Sequence, residues 1–337
     1  MDISHRKEAI LAQIVALHTD SGDPIGSHLL QEFLREVRVS TATLRNEMAQ
    51  LTALGLLEQP HTSAGRVPTE LGYRYYLNHL MDARPLTAQE RKTIQQEVAR
   101  MDSDPVRAAE YAAESLAGLS GLGAIASTPT TTEAQIGYFD LLQVGKFNVA
   151  VLGITNLGSL QSRICRLDKE LNTSELSLLK QALNETLRFV SSEDIPGDLA
   201  QQIAEKTWLS QKTVEAVVEA VTQMLTRAKT VQVFRAGQRN LLRFAELQNH
   251  VDEVVRLFED TQGMARLLSS EGTVECYVGQ EIGPRYGNLS MVVGRYRVAG
   301  GGHGGLAIVG PVRMDYKSLV PRLSAYCNAM SEALVTR

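Results

Sequence analysis

The chain has 337 residues, 44% of them hydrophobic and only 5% aromatic, which is too long for one ordinary domain and rich enough for two or three buried cores. No apolar run approaches the ~20 residues of a membrane span, and the opening MDISHRKEAI is charged with no signal-peptide core, so a cytoplasmic protein is expected. Net charge is −4, which by itself does not flag a nucleic-acid partner, and the three separated cysteines, Cys165, Cys276 and Cys327, form no metal-binding or redox pair, so idle thiols and no cofactor are expected.

In chain order, Ile10, Ile14 and Leu17 repeat at helical spacing and predict an amphipathic helix over roughly residues 4–19. SGDPIGS is dense in turn formers, and Ser27 is placed to cap a short helix through Phe33 and Leu34. Val37-Arg38-Val39 then leads to Ser40, a good N-cap. From there Leu44, Met48, Leu51 and Leu54 form one core stripe, and Gly55 suits a left-handed helix end. Ala42, Arg45, Asn46, Ala49 and Ala53 fall on the opposite face. Small residues there let a helix approach base edges in a major groove, where Arg pairs with guanine and Asn with adenine. The same residues are also good helix formers on any solvated surface, so the helix alone does not decide.

Its surroundings do more. Leu56-Leu57-Glu58 predicts a strand, Pro60 through Gly65 a tight turn, and His61, Thr62, Ser63 and Arg66 a polar tip able to reach phosphate. Three helices followed by such a hairpin predict a winged helix-turn-helix. Ser40, Thr41 and Thr43 lie at the third helix's N-terminus, where hydroxyls and N–H groups meet phosphate. Thr69 caps a further helix through Met81, on which Tyr73 and Arg74 are candidate phosphate contacts. Residues 1–84 hold 8 basic and 10 acidic side chains, a net −2, whereas residues 38–74 carry four Arg against three Glu. Few phosphate contacts per module are therefore expected, and tight binding should need a dimer.

SGDPIGS, TATLRNEMAQLTALGLLEQPHTSAGRVPT and GYRYYLNHLM closely resemble the N-terminal domain of the heat-inducible transcription repressor HrcA family. GLGAIAS, AGQRNLL and LAIVGPVRMDYKSLVPRL resemble later landmarks of the same family, so the likeness spans nearly the whole chain. It implies a repressor of heat-shock chaperone operons, not an enzyme. Such a repressor binds double-stranded DNA at a CIRCE-type inverted repeat as a homodimer, is relieved on heat shock, and is kept active by the chaperonin GroEL. An intrinsic thermometer is the other possibility, but with no metal cluster or cysteine pair in the sequence, control through a partner is favoured.

Beyond the hairpin, DARPLTAQE reads as a linker with a fresh cap at Thr87, and helix continues to Leu119 with a break at Asp104-Pro105. Residues 121–167 alternate as four short strands, 173–230 return to helix in three pieces, and Val231 to Phe234 is a short strand. Phe244 to Ser269 is helical, three strands follow, and Tyr316 to Leu334 is a final helix. The expected fold class is α+β and multidomain. A DNA-binding domain at 1–84 and a linker and helix at 85–104 precede an α+β domain over 105–135 and 229–337, interrupted by a block at 136–228. The family resemblance makes the interrupted domain GAF-like and the inserted α/β block dimerising. Val214, Val217, Val218, Val221 and Leu225 form an apolar helical stripe there, proposed for the dimer interface but equally suited to an intrachain core.

AGGGHGGLAIVG, residues 299–310, has no phosphate-loop spacing and reads as a flexible hairpin loop, with His303 exposed and no metal partner near it. A small-molecule sensor and a protein-contact adaptor are the remaining function classes; Arg45 and Asn46 on a small outer face argue against the adaptor.

Overall fold

The computed structural model describes residues 3–34, 40–62, 64–130, 135–269 and 272–336. The expected connection Val37–Val39 and the tip residue Ser63 lie outside them. The chain opens with α1 (His5–Ser21), α2 (Ser27–Phe33) and α3 (Thr41–Ala53). The first buries Ile10, Leu11, Ile14 and Val15 against the others. Ser27 is not a cap: Gly26 holds that position without a side-chain bond, and the Ser27 hydroxyl instead accepts from Arg45 Nε at 3.2 Å. Ser40 does cap α3, accepting from the Thr43 N–H at 3.1 Å. Leu44, Met48 and Leu51 are buried, but Leu54 falls past the helix end and is 39% exposed. Gly55, at φ 75°, turns the chain there.

Two short strands, β1 (Leu57–Glu58) and β2 (Val67–Pro68), then pair antiparallel. Ile25 and Arg66 exchange backbone hydrogen bonds of 2.9 Å in both directions, which ties the hairpin to the α1–α2 turn. Gly65 is required by that approach, since a Cβ there would sit 2.3 Å from the Ile25 carbonyl. Next comes α4 (Glu70–Tyr75), capped by Thr69 and prolonged by one π-helical turn, Tyr76–Leu80.

The remainder is mixed α and β. α5 (Ala88–Ala99) starts with a full capping box, Thr87 and Glu90 each satisfying the other's backbone N–H. α6 (Pro105–Ser120) starts at Asp104 with proline in its first turn, and β3 (Gly123–Ser127) follows. β4 (Ile136–Gly145), β5 (Asn148–Thr155) and β6 (Leu160–Arg166) form a separate three-stranded antiparallel sheet. α7 (Thr173–Leu187), α8 (Leu199–Thr207) and α9 (Gln211–Ala228) close one of its faces, with a core of their own. The chain then returns as β7 (Val233–Ala236), which pairs with β3.

Where one helix is expected over 244–269, the chain makes short pieces after α10 (Gln238–Leu241): α11 (Ala245–Gln248), α12 (Val251–Glu259) and α13 (Thr261–Ser269). The last break is set by Asp260, whose carboxylate accepts from the Gly263 N–H at 2.8 Å. Strands β8 (Val274–Val278), β9 (Leu289–Arg297) and β10 (His303–Pro311) complete an antiparallel sheet ordered β7-β3-β10-β9-β8, and α14 (Tyr316–Thr336) packs across it.

Two further expectations are corrected by the sheets. Residues 303–305 are not a loop. They are the start of β10, paired with Arg297, Tyr296 and Arg295, and His303 is half-buried and bonded through its backbone to Thr130. The glycines serve close packing: a Cβ would lie 2.4 Å from the Tyr296 ring at Gly304 and 2.4 Å from the Leu268 carbonyl at Gly305. Secondly, Val214, Val217, Val221 and Leu225 have no exposed surface and Val218 is half-buried, all within the core of 136–228. The apolar stripe of α9 faces its own sheet, so it does not offer a surface to a partner. We predict that Gly305→Ala lowers stability by about 1–3 kcal/mol through overpacking; an unchanged denaturation midpoint in urea would contradict this packing.

Candidate nucleic-acid interface

On α3, the helical period that buries Leu44, Met48 and Leu51 turns Ala42, Arg45, Asn46, Ala49 and Ala53 outward, and all five are exposed. Glu47, the acidic residue of that helix, points the other way, toward Lys7 at 3.1 Å and Arg6 at 3.7 Å. The outer face is thus small, uncharged except for Arg45, and free of carboxylates along α3. Arg45 is steadied by its Nε bond to Ser27, while its two terminal nitrogens make no hydrogen bond among the described residues. A braced guanidinium with an open fork suits a two-point contact with a guanine edge.

At the helix N-terminus Ser40 is exposed, and Thr41 and Thr43 are half-buried. The Ser40 and Thr43 hydroxyls are hydrogen-bonded to each other at 3.0 Å, so this end is ordered before any ligand arrives. On the hairpin, His61 and Thr62 are exposed. Gln59 stiffens its tip by donating to the carbonyls of Thr62 at 2.9 Å and Ala64 at 3.0 Å. Arg66 is not at the tip: it is half-buried, and its Nε donates to the Thr52 hydroxyl of α3 at 3.1 Å. It joins helix to hairpin.

Tyr73 and Arg74 are not part of this surface. Tyr73 is 1% exposed, its hydroxyl bonded to His18 Nδ1 at 2.8 Å and its ring 6.3 Å from that of Tyr316. Arg74 pairs with Glu281, with Nε 2.7 Å from Oε1, and gives Nη2 to the Cys276 carbonyl at 2.6 Å. Both anchor the N-terminal helices to the C-terminal sheet. Arg313, unremarked by motif reasoning, does the same from the other side: Nε reaches Glu246 at 2.5 Å and Nη1 the Thr19 carbonyl at 2.9 Å, over the Phe244 ring. Arg313 and Tyr316 belong to the segment GPVRMDY, whose only sequence signal was its likeness to a family landmark.

No cluster of His, Cys, Asp and Glu suited to a metal occurs among the described residues. Burial pushes the Cys276 thiol up to about 11 and that of Cys327 up to about 12, so neither is a reactive thiolate at neutral pH. No described helix is long and apolar enough to cross a membrane.

A family model described as the HrcA protein C-terminal domain matches residues 107–320. A heat-inducible transcription repressor HrcA of a Mycobacterium species is 31% identical over 98% of both chains, and one from Halalkalibacterium halodurans is 28% identical over 96% of both. The chain belongs to the HrcA family. Its members are transcription repressors by name, not enzymes. The HrcA relatives extend over the N-terminal helices as well, which the C-terminal model does not reach. A crystal structure of a hypothetical protein shares the fold over 99% of each chain, with a TM-score of 0.65 and 21% identity.

The anchor at His18 generates a pH dependence. Burial, then the neighbouring Arg313, hold its pKa below the ordinary histidine value, with Glu246 and Asp23 opposing. A depressed folded-state value means that stability is present above the unfolded value of about 6.5 and is lost as pH falls below it. Between about pH 7.5 and about pH 5.5, the wild-type melting temperature should fall more than that of His18→Gln. Parallel falls would show that His18 does not titrate with folding.

Proposed function

We propose that this chain is a cytoplasmic repressor of heat-shock chaperone operons that reads an inverted-repeat, CIRCE-type duplex as a homodimer. The observation that carries the reading is the outer face of α3, where Arg45 and Asn46 stand exposed between Ala42 and Ala49, beside a stiffened polar hairpin. In this reading residues 1–84 are a winged helix-turn-helix. Arg45 and Asn46 read base edges in the major groove. Ser40, Thr41, Thr43, His61 and Thr62 hold phosphates, and Arg66 fixes the angle between helix and wing. The names of the HrcA relatives support heat-inducible repression. Residues 105–135 with 229–337 are taken as the GAF-like domain, and the chaperonin GroEL as the partner that sustains repression.

The dimer is assigned to residues 136–228, but through the sheet rather than through α9. Facing away from α7–α9, cross-strand rows Tyr138–Ile154–Leu160 and Leu142–Ala150–Ile164 lie on one face. Tyr138, Leu142, Ile154, Leu160 and Ile164 are between 44% and 69% exposed. A contiguous apolar patch of this kind marks an association surface, and a sheet face stacks readily on its own two-fold copy.

Gel shifts on an inverted repeat, beside light scattering, test both halves. Arg45→Ala should cost on the order of 1–3 kcal/mol and relax preference at one base pair; an unchanged ratio of specific to non-specific affinity would contradict the placement of α3. Ile164→Lys should yield a folded monomer that binds weakly, and a persisting dimer would move the interface elsewhere.

A further inference from the structure

Between α5, α6, α14 and β10 lies a cavity of about 180 Å³ that the proposed repressor activity does not use. Six of its eleven lining residues are apolar: Ile94, Leu116, Ile308, Leu319 and Tyr326 are buried, and Leu119 is 37% exposed. Arg322 and Glu90 also line it, with side chains 36% and 20% exposed. Arg322 Nε and Nη2 both donate to Glu90 Oε1, at 3.0 and 2.6 Å, and Arg84 Nη2 reaches the same oxygen at 2.5 Å. Two guanidiniums therefore meet one carboxylate, leaving one positive charge in excess. Glu90 cannot be relieved of its charge near neutral pH, because the Thr87 N–H, and then Arg322, push its carboxyl down to about 2. Arg322 Nη1 makes no hydrogen bond among the described residues.

An aliphatic slot that ends at an under-neutralised guanidinium selects an amphipathic anion. The volume is below the ~300–1,000 Å³ of sites for drug-sized ligands, so the tail must be short, and the walls offer no pair of aromatic faces for a planar ring. We propose that this cavity binds a short aliphatic carboxylate, with its tail against Leu116, Ile308 and Leu319 and its head group on Arg322. The occupant would touch α5, the helix that receives the chain from the N-terminal module. That junction is fixed by the Arg84 N–H donating to the Lys317 carbonyl at 3.1 Å.

The proposal does not depend on DNA binding, so it is tested on the full chain without DNA. Isothermal calorimetry with octanoate should show saturable binding at one site per chain. Octanol, with the same tail and no charge, should bind at least about tenfold more weakly. Arg322→Gln should lose octanoate by at least about tenfold. Because Arg322 also grips Glu90, Leu119→Glu is the second variant. It leaves that pair intact and puts a negative charge on the cavity lining, and it should lose octanoate too. Absence of saturable binding, equal affinity for octanol, or wild-type affinity in both variants would each overturn the proposal.

Discussion

Everything in the first eighty residues depends on where Tyr73 goes. Its ring lies in the core between His18 and Tyr316, so the N-terminal helices share one continuous hydrophobic core with the five-stranded sheet rather than hanging from it on a tether. Burying a tyrosine hydroxyl without a partner would be costly, and the bond to His18 removes that cost. Arg74 on one side and Arg313 on the other add charged anchors to Glu281 and Glu246. With that joint made, the outer face of α3 and the described residues of the hairpin tip remain exposed on the module.

The rest of the chain divides along its two cores. One joins the N-terminal module, α5, α6, α14 and the larger sheet; the other is confined to 136–225. The second core covers only one face of a three-stranded sheet. Three short strands and three helices are enough to fold around, yet they leave Tyr138, Leu142, Leu160 and Ile164 facing solvent. That imbalance, rather than any residue of α9, is the observation on which the proposed dimer interface rests. In the proposed dimer, each N-terminal module would be placed through the core it shares with its own larger sheet. Spacing between two modules would then follow from folded geometry and not from linker length.

Much of this was legible because the signals were local. Ser40 before a helical period, Thr87 as a fresh cap, the break at Asp104-Pro105 and the short strands of 136–166 each act within a few residues, and each formed the expected element. What failed was what depends on distant partners. Nothing near Tyr73 or Arg74 announces Tyr316 or Glu281, more than 200 residues away, so an aromatic and a cation just past a hairpin looked free for phosphate. The stripe Val214–Leu225 has the same pattern whether it meets its own sheet or another chain, and only the fold decides. The glycines at 304 and 305 looked like loop because the reason for them, the Tyr296 ring and the Leu268 carbonyl, comes from packing across the sheet. On the outer face of α3 the sequence pattern and the exposure agree, although Arg66 turned inward to brace Thr52.

The central claim is that α3 and the hairpin meet DNA while the Tyr73 joint does not. Amide hydrogen exchange of the full chain, with and without an inverted-repeat duplex, tests it most directly. The account predicts slowed exchange on duplex binding within residues 40–53 and 57–68, and no change across 70–80. Protection confined to 70–80, with 40–53 unaffected, would contradict it.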